Sequence, residues 1–504
     1  MIPVPEINLG GILPALILCI AGLVVMVAGL FIRKGAATAA ALISLAAILI
    51  AFWANSPIRL MHKPAFEGLI SLDAYSWFFN LLILIATGLT ALMSVRYLSD
   101  EGLDLYEYFV LLLFSGAGMM FMVSGNHILV IFVGLETLSI SIYVLTGILP
   151  GNLKSSEAAM KYLILGAFSS GIFLYGAALL YGAAGSLSLP VLAKYFQAPA
   201  VDRMGMVGMG LLLAGFGFKV AAVPFHMWTP DVYEGAPSPL TGFMSVGVKA
   251  AAFAAFIRVF FEGLSALQVN WGQILWVLAV LTMILGNLAA LAQENIKRML
   301  AYSSIAHAGY ILVGMVAGKE AGTSGVLYYL LAYTFTNLGA FAVVALVGRR
   351  GEANVLIDDY RGLAKVHPML ALAMSIFLFS LAGIPPTAGF MGKFTIFSAA
   401  INSGYIWLVI IGVLTSAASV FYYFRVVMKM YMETPETEPE RLQFSPLTIL
   451  ALSITVTAVM YIGIFPSTYL NLATESVKPL FLNDAGEGQT VKVYKIIRDA
   501  HFHI

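Results

Sequence analysis

The sequence contains almost no cysteine, since Cys19 is the single one among 504 residues. One thiol cannot form a disulfide within the chain, an iron–sulfur cluster or a zinc site of several thiolates. The motifs CxxCH and GxGxxG and the P-loop are missing as well, although these mark many haem, dinucleotide and triphosphate sites. We therefore expect no cofactor and no metal in this chain.

Charged residues are also scarce. They make up 11% of the chain against 60% hydrophobic residues, with a net charge of +1 and a mean hydropathy of +0.92. Soluble domains carry about 25% charged residues, so this composition predicts a polytopic membrane protein. A net charge of +1 gives no long-range attraction for nucleic acid. The first apolar stretch, 11–31, lacks a small-residue cleavage site and is expected to be a retained helix.

Apolar runs of roughly 20 residues, the length that spans a bilayer, follow one another along the chain. They predict an all-α fold with about fourteen transmembrane helices. The predicted helices, numbered 1 to 14 in order, cover 11–32, 36–54, 73–95, 106–124, 127–148, 157–184, 204–228, 237–261, 271–292, 296–317, 323–348, 367–402, 404–431 and 446–470. Pro224 interrupts helix 7, and Pro385-Pro386 divides helix 12 into two half-helices. Broken backbone at membrane depth is tolerated only where protein or a watery cavity covers it.

Two parts of the chain are similar to each other. Identical residues recur at an offset of 167 in Tyr143/Tyr310, Tyr162/Tyr329, Leu163/Leu330, Phe168/Phe335, Ala178/Ala345 and Leu179/Leu346. Five helices separate the copies, an odd number, so the two repeats are predicted to be inverted, as in many transporters. The predicted units are 1–105 (helices 1–3), 106–262 (repeat one, helices 4–8), 263–431 (repeat two, helices 9–13) and 432–504 (helix 14 and a tail).

Lysine and arginine are divided unevenly between the two sets of loops. The loops after odd-numbered helices hold twelve, and those after even-numbered helices hold five. The twelve are Arg33, Lys34, Arg96, Lys154, Lys297, Arg298, Arg349, Arg350, Arg361, Lys365, Lys429 and Arg441, and the five are Arg59, Lys63, Lys194, Arg203 and Lys319. Because cytoplasmic loops carry the excess, the odd loops are predicted to be cytoplasmic and both termini periplasmic, across a cell inner membrane.

Ionisable residues interrupt the apolar helices at a few positions. Glu136, Lys219, Lys249 and Lys393 lie well inside predicted helices, where each charge costs about 2.5–3.5 kcal/mol. Several such costs in one protein indicate a functional polar line. A lysine with a mobile carboxylate partner is a proton switch, because desolvation and the carboxylate act oppositely on its proton affinity. The alternative is that Glu136 and Lys219 form a permanent structural ion pair.

Three further residues are weaker candidates. Lys161 lies near a helix start, where its ammonium can extend to the membrane surface. Histidine titrates near neutrality and suits a proton shuttle, which makes His307, and to a lesser degree His226, candidates. A single histidine is nevertheless more often structural.

Arg258 and Glu262 are four residues apart and are expected to form a structural salt bridge.

Five stretches of the sequence carry a recognisable pattern. They read GLETLSISIYVL, EAAMKYLILGAFSSG, FKVAAVPFHMWTPDVYEGAPSP, KRMLAYSSIAHAGY and AGIPPTAGFMGKF. In combination they resemble the antiporter-like membrane subunits of respiratory complex I, the bacterial NADH–quinone oxidoreductase. The resemblance runs from about helix 3 to helix 13. It implies a fold of fourteen helices with two inverted five-helix repeats and discontinuous helices 7 and 12.

The resemblance also implies roles for individual residues. Glu136 matches the glutamate of helix 5, and Lys219 the lysine of helix 7 that pairs with it. Lys249 matches the relay lysine of helix 8, Lys393 the lysine of helix 12 that faces the exit half-channel, and Lys161 an additional lysine of helix 6. NADH and quinone would be used by partner subunits. The expected partners are other complex I membrane subunits, neighbouring antiporter-like ones among them, and the lipid bilayer.

The expected cycle starts with a proton that Lys219 takes from the cytoplasm while it is paired with Glu136. Separation of that pair would then send the proton through Lys249, with help from His307, to Lys393 and outward. Mrp-type Na⁺/H⁺ antiporters and related membrane-bound hydrogenase complexes share such lysines and stay an alternative. A purely structural membrane scaffold is another alternative.

Overall fold

The computed structural model describes residues 8–32, 34–61, 63–198, 202–348, 350–434 and 442–481, and nearly all of them are helical. Thirteen helices in this part of the chain are long and apolar enough to cross a membrane, and helix 12 is present as two halves. The loop charges Arg33, Arg349 and Arg441 and the tail 483–504 lie outside the described residues.

The observed helices keep the predicted numbers. They are helix 1 (Leu13–Gly29), 2 (Ala36–Asn55), 3 (Ala74–Asp100), 4 (Glu107–Ser124), 5 (Ile128–Thr146), 6 (Leu153–Ala184), 7a (Arg203–Val220), 7b (Thr229–Gly235), 8 (Ser238–Gly263), 9 (Gln268–Leu291), 10 (Ile296–Ala317), 11 (Lys319–Gly348), 12a (Pro368–Ala382), 12b (Ala388–Asn402), 13 (Ile406–Met432) and 14 (Pro446–Ile464). The prediction of an all-α polytopic membrane fold is confirmed.

A few elements differ from the prediction. Helix 14 ends at Ile464 and not near residue 470, because Pro466 starts a separate helix, Pro466–Phe481. A short helix, Leu189–Phe196, and an antiparallel pair of strands, β1 (Lys63–Ala65) and β2 (Ile70–Leu72), were not predicted. Elements this short carry too few residues to show a period in the sequence.

Helices 7 and 12 are both broken, as predicted, and their first halves end in the same way. Ala221 and Gly383 each adopt a left-handed conformation, with φ of 60° and 85°. The next amide then bonds back to the helix, from Ala222 N–H to the Gly217 carbonyl at 2.8 Å and from Ile384 N–H to the Phe379 carbonyl at 3.0 Å. This is the Schellman type of helix end. It stops helices 7a and 12a inside the apolar part of the protein.

The two predicted repeats use the same packing partners. Helix 4 packs on helix 5 as helix 9 packs on helix 10, and helix 6 packs on helix 7a as helix 11 packs on both halves of helix 12. Glycines permit the closest approaches. A Cβ atom on Gly118 would lie 2.8 Å from the Gly134 carbonyl oxygen, and one on Gly286 would lie 2.6 Å from the Ala306 nitrogen. Close packing through small residues is the usual way in which membrane helices associate.

Helices 8, 10 and 11 form the centre of the protein. In their most apolar segments, 100%, 94% and 89% of the residues are buried. In the corresponding segments of helices 13 and 14 the share is 33%. Large apolar side chains such as Phe421 and Ile449 are exposed on the outer helices, as expected for a surface that meets lipid. Polar groups on helices 8, 10 and 11 are therefore shielded from lipid by the surrounding helices.

We expect Gly118→Leu to destabilise the protein by about 1–3 kcal/mol, because the new side chain would force helices 4 and 5 apart. A Cβ atom there already lies 2.7 Å from the Leu138 nitrogen. Thermal unfolding of the detergent-purified protein measures the effect. Gly171→Leu is the matched control, since a Cβ atom at Gly171 has nothing within 4 Å. Equal melting temperatures for the two variants would contradict this packing.

Candidate functional site

Lys219 lies in the last turn of helix 7a and is 4% exposed. Its Nζ donates a hydrogen bond of 2.8 Å to Ser139 Oγ on helix 5. The ammonium also lies 5.8 Å from the centre of the Tyr143 ring and 5.9 Å from that of Phe218. The carbonyl end of a helix carries partial negative charge and favours a cation. One hydroxyl, two aromatic rings and a helix end thus surround this ammonium.

Glu136 lies on helix 5, one turn before Ser139, and is partly buried. Ser170 of helix 6 donates a hydrogen bond to its carboxylate. The direct Lys219–Glu136 ion pair implied by the resemblance is not formed in this structure, because Lys219 is bonded to Ser139. The hydrogen bond to Ser139 still places the Lys219 ammonium one turn of helix 5 from Glu136.

Lys249 lies inside helix 8 and is 2% exposed. Its Nζ donates to Ser304 Oγ at 2.6 Å and to the Ser304 carbonyl at 2.8 Å, both on helix 10. Helix 8 is wound as a π-helix over Met244–Val248, directly before this lysine. Single π turns are frequent at functional sites of helices. The hydrogen bonds from Lys249 to Ser304 therefore link repeat one to repeat two.

His307 lies one turn beyond Ser304 on helix 10 and is 3% exposed. Both ring nitrogens are in use, Nδ1 in a hydrogen bond with the Tyr329 hydroxyl and Nε2 in one of 3.1 Å with the Tyr423 hydroxyl. The ring also lies 5.6 Å from that of Tyr310, which the Lys393 ammonium contacts. The histidine therefore lies between residues that contact Lys249 and Lys393.

Lys393 lies in helix 12b and is 5% exposed. Its Nζ donates to the Leu381 carbonyl at 2.8 Å, the Ala382 carbonyl at 3.1 Å and Ser416 Oγ at 2.8 Å. Its ammonium also lies 4.9 Å from the centre of the Tyr310 ring. The two carbonyls are the free end of helix 12a, so the break in helix 12 supplies the acceptors for the lysine.

Among the residues that the structure describes, Lys219, Lys249 and Lys393 have no carboxylate within the 4.0 Å of an ion pair. A permanent ion pair is therefore not what holds them. Hydroxyl and carbonyl oxygens accept the hydrogen bonds of the ammonium groups without neutralising their charge. Such groups can bind and release a proton without first breaking an ion pair.

Lys161 and His226 are not deeply buried. Lys161 is 39% exposed and forms salt bridges with Glu157 at 2.7 Å and Asp231 at 2.6 Å. It belongs to a surface cluster with Lys154, Glu234 and Arg298 that fastens helix 7b to helices 6 and 10. His226 lies in the break of helix 7, between helices 7a and 7b.

Hydrogen bonds in this surface cluster affect the acidic residues of helix 7b. Burial acts to raise the pKa of Glu234, but hydrogen bonds from Lys154 and Arg298 outweigh it and hold the pKa below its ordinary value. Asp231 behaves in the same way, with burial opposed by hydrogen bonds from Lys161 and Arg298 that lower its pKa. Both carboxylates therefore stay ionised at neutral pH and keep helix 7b in place.

Sequence reasoning missed two buried ion pairs. Lys297, counted above among the loop charges, lies in the first turn of helix 10 and is wholly buried. Its Nζ donates to the Ala236 carbonyl at 2.6 Å and pairs with Glu352. A cation at a predicted helix end looks exposed in the sequence, because the sequence does not show which loop folds over it.

The second missed pair joins helix 8 to the start of helix 3. Arg258 pairs with Glu262 at 2.9 Å, as predicted, and also holds Asp73 through two hydrogen bonds of 3.0 Å. Asp73 caps helix 3 by accepting from the Ser76 amide. An Asp directly before an apolar run is a signal for a helix start, but no local signal identifies Arg258 as its partner.

The fold and the buried lysines define a multi-pass membrane protein of the antiporter type. Residues 125–419 match the family described as the transmembrane part of NADH:quinone oxidoreductase and Mrp antiporters. The chain is 48% identical over 474 residues to NADH-quinone oxidoreductase subunit N of Trichlorobacter lovleyi, an alignment that covers 94% of this chain and 97% of that protein.

Solved structures agree with this likeness. A chain of respiratory complex I from Thermus thermophilus with bound aureothin is 34% identical, with a TM-score of 0.78 over 92% of this chain and 99% of that one. A chain of the membrane-bound sulfane sulfur reductase, an archaeal respiratory membrane complex, is 28% identical, with a TM-score of 0.82 over 93% and 97%. The chain belongs to the family of NADH-quinone oxidoreductase subunit N.

We expect Glu234→Gln to lower stability by about 0.5–1 kcal/mol at neutral pH, since its salt bridges are only partly shielded from solvent. A carboxylate with a depressed pKa stabilises the fold above its ordinary pKa, and this contribution is lost as the pH falls through the depressed value. Melting curves of wild type and variant should therefore converge in acid. Glu157→Gln is the control, because Glu157 is 63% exposed; an equal effect of both changes would contradict the prediction.

Proposed function

We propose that this chain is a proton-translocating membrane subunit of a bacterial NADH–quinone oxidoreductase. Electrons would pass from NADH to quinone in partner subunits, and this chain would respond by moving protons across the cell inner membrane. The observation that carries the proposal is the set of three buried lysines held by hydroxyls and carbonyls, each less than 6% exposed. Charged residues buried in a membrane protein without an ion-pair partner indicate a functional site.

The proposed cycle begins at Lys219 and Glu136. Lys219 takes a proton from the cytoplasmic side, and attraction to Glu136 favours its charged form. Movement of Glu136 away from Lys219 then weakens that attraction. The Ser139 hydroxyl is a bonded neighbour of Lys219 and a group that both accepts and donates protons. The switch therefore needs only a change in the separation of two charges.

The proton then moves through the centre of the protein to the outer side. Lys249 passes the proton through Ser304 and the polar groups around His307 to Lys393, and Lys393 releases it. Coulomb repulsion between neighbouring ammonium groups in a poorly screened interior is worth several kcal/mol. A proton that arrives at one lysine therefore favours loss of the proton from the next.

The remaining residues of the predicted site receive supporting roles in this proposal. Lys161 holds helix 7b through Asp231, and His226 occupies the break beside the path to Lys219. The excess of Lys and Arg in the odd loops supports a cytoplasmic position for those loops and periplasmic termini. The proposed partners are the other membrane subunits of the complex, including neighbouring antiporter-like subunits. NADH and quinone bind elsewhere in it.

We expect Lys249→Met to slow the proton step by about 10²-fold or more, because methionine fills the same space without a titratable group. NADH–quinone turnover and proton uptake should fall together in the purified complex reconstituted into vesicles. Lys194→Met is the control, since Lys194 is an exposed lysine of the short helix Leu189–Phe196. Normal turnover and uptake in Lys249→Met, at a normal amount of subunit, would contradict the proposal. Proton uptake that requires Na⁺ would favour a cation antiporter instead.

A further inference from the structure

The buried path between Lys249 and Lys393 contains a tyrosine hydroxyl that the cycle above does not use. Tyr333 lies on helix 11 and is 3% exposed. Its ring packs against that of His307, which lies one helical turn from Ser304, the residue that accepts the hydrogen bonds of Lys249. The Tyr333 hydroxyl has no hydrogen-bond partner among the described residues. Nearly all buried polar groups in proteins are hydrogen-bonded, so an unpartnered hydroxyl needs an explanation.

A small cavity adjoins the same tyrosine. It measures about 10 Å³, close to the minimum for one water molecule, and its polar lining comes from His307, Tyr329, Tyr333, Thr336 and Ser380. Thr336 and Ser380 are themselves joined by a hydrogen bond of 3.0 Å between their hydroxyls. The cavity therefore has room for just one water molecule, with the Tyr333 hydroxyl in its wall.

The cavity extends to the break of helix 12. Leu381 forms part of its wall, and the carbonyl of the same residue accepts a hydrogen bond of 2.8 Å from Lys393. Tyr333 thus packs against His307, one turn from Ser304, and lines a cavity that reaches the backbone holding Lys393. It therefore lies between the groups that hold the two lysines.

His307 is less suited to carry the proton here, although it lies between the same lysines. Both of its ring nitrogens are already engaged by the hydroxyls of Tyr329 and Tyr423. The Tyr333 ring packs against the histidine ring with 5.1 Å between centres, which fixes the direction of the tyrosine. A hydroxyl can accept one proton and donate another, and that of Tyr333 has both capacities unused.

We propose that Tyr333 is a further proton-transferring residue between Lys249 and Lys393, an inference that rests on the function proposed above. A proton leaves Lys249 Nζ for Ser304 Oγ, whose own proton goes to the Tyr333 oxygen. The Tyr333 hydroxyl gives its proton at the same time to a water molecule in the cavity, which delivers one proton toward neutral Lys393. Each hydroxyl loses one proton and gains one, so neither becomes charged.

The test is Tyr333→Phe in the intact reconstituted complex, because this change removes the hydroxyl and keeps the ring against His307. We expect proton uptake and quinone turnover to fall several-fold per assembled complex. The solvent deuterium isotope effect should rise, since proton transfer becomes more rate-limiting, and a merely structural role would not change it. Tyr328→Phe is the matched control, because Tyr328 lies on the same helix and donates to the Ile462 carbonyl.

Lys249→Met, measured in parallel, distinguishes two failures. If Lys249→Met is slow but Tyr333→Phe matches wild type in rate and isotope effect, the role of Tyr333 is wrong and the proposed function stands. If both variants match wild type, the proposed function is wrong, and the inference falls with it. A loss in Tyr328→Phe equal to that in Tyr333→Phe would also overturn the inference.

Discussion

The burial of three ammonium groups without a carboxylate in contact is the constraint on which this structure depends. Lys219, Lys249 and Lys393 are each less than 6% exposed, so their ammonium groups need oxygen acceptors from within the protein. A serine hydroxyl supplies one acceptor to each lysine, and backbone carbonyls supply further acceptors to Lys249 and Lys393. Because these acceptors are neutral, each lysine stays sensitive to any charge that moves nearby.

The broken helices follow from the same requirement. An intact helix uses its carbonyls internally, whereas a helix end leaves several free. Helix 12a ends at Ala382, and its free carbonyls hold Lys393 of helix 12b. Helix 7a ends directly after Lys219, and the break that follows is fastened by the salt bridges of Asp231 and Glu234. Each break lies beside the lysine of its own helix in both repeats.

Much of this architecture was predictable from the sequence, because apolar runs, prolines and isolated charges are local signals. Pro224 and Pro385-Pro386 indicated the two breaks, and Lys249 was recognisable as a buried charge. Its hydrogen bond to Ser304, fifty-five residues away, was not predictable from the sequence. The spacing of apolar residues in the sequence shows which face of a helix is apolar. It does not show which residue of another helix contacts that face.

The errors have the same origin. Lys297 was counted among the loop charges, and its burial depends on Glu352 in the loop between helices 11 and 12a. The ion pair expected between Lys219 and Glu136 is replaced by hydrogen bonds to Ser139 and Ser170. Both serines are ordinary small residues of membrane helices, and no local signal distinguishes them from packing residues.

The central claim is that the buried lysines change their protonation state during turnover. Infrared difference spectroscopy of the complex, with ¹⁵N-labelled lysine, measures this directly when NADH starts the reaction. The account predicts ammonium bands that shift with the label and that are lost in Lys249→Met. A difference spectrum without any lysine bands, or one that Lys249→Met leaves unchanged, would contradict it.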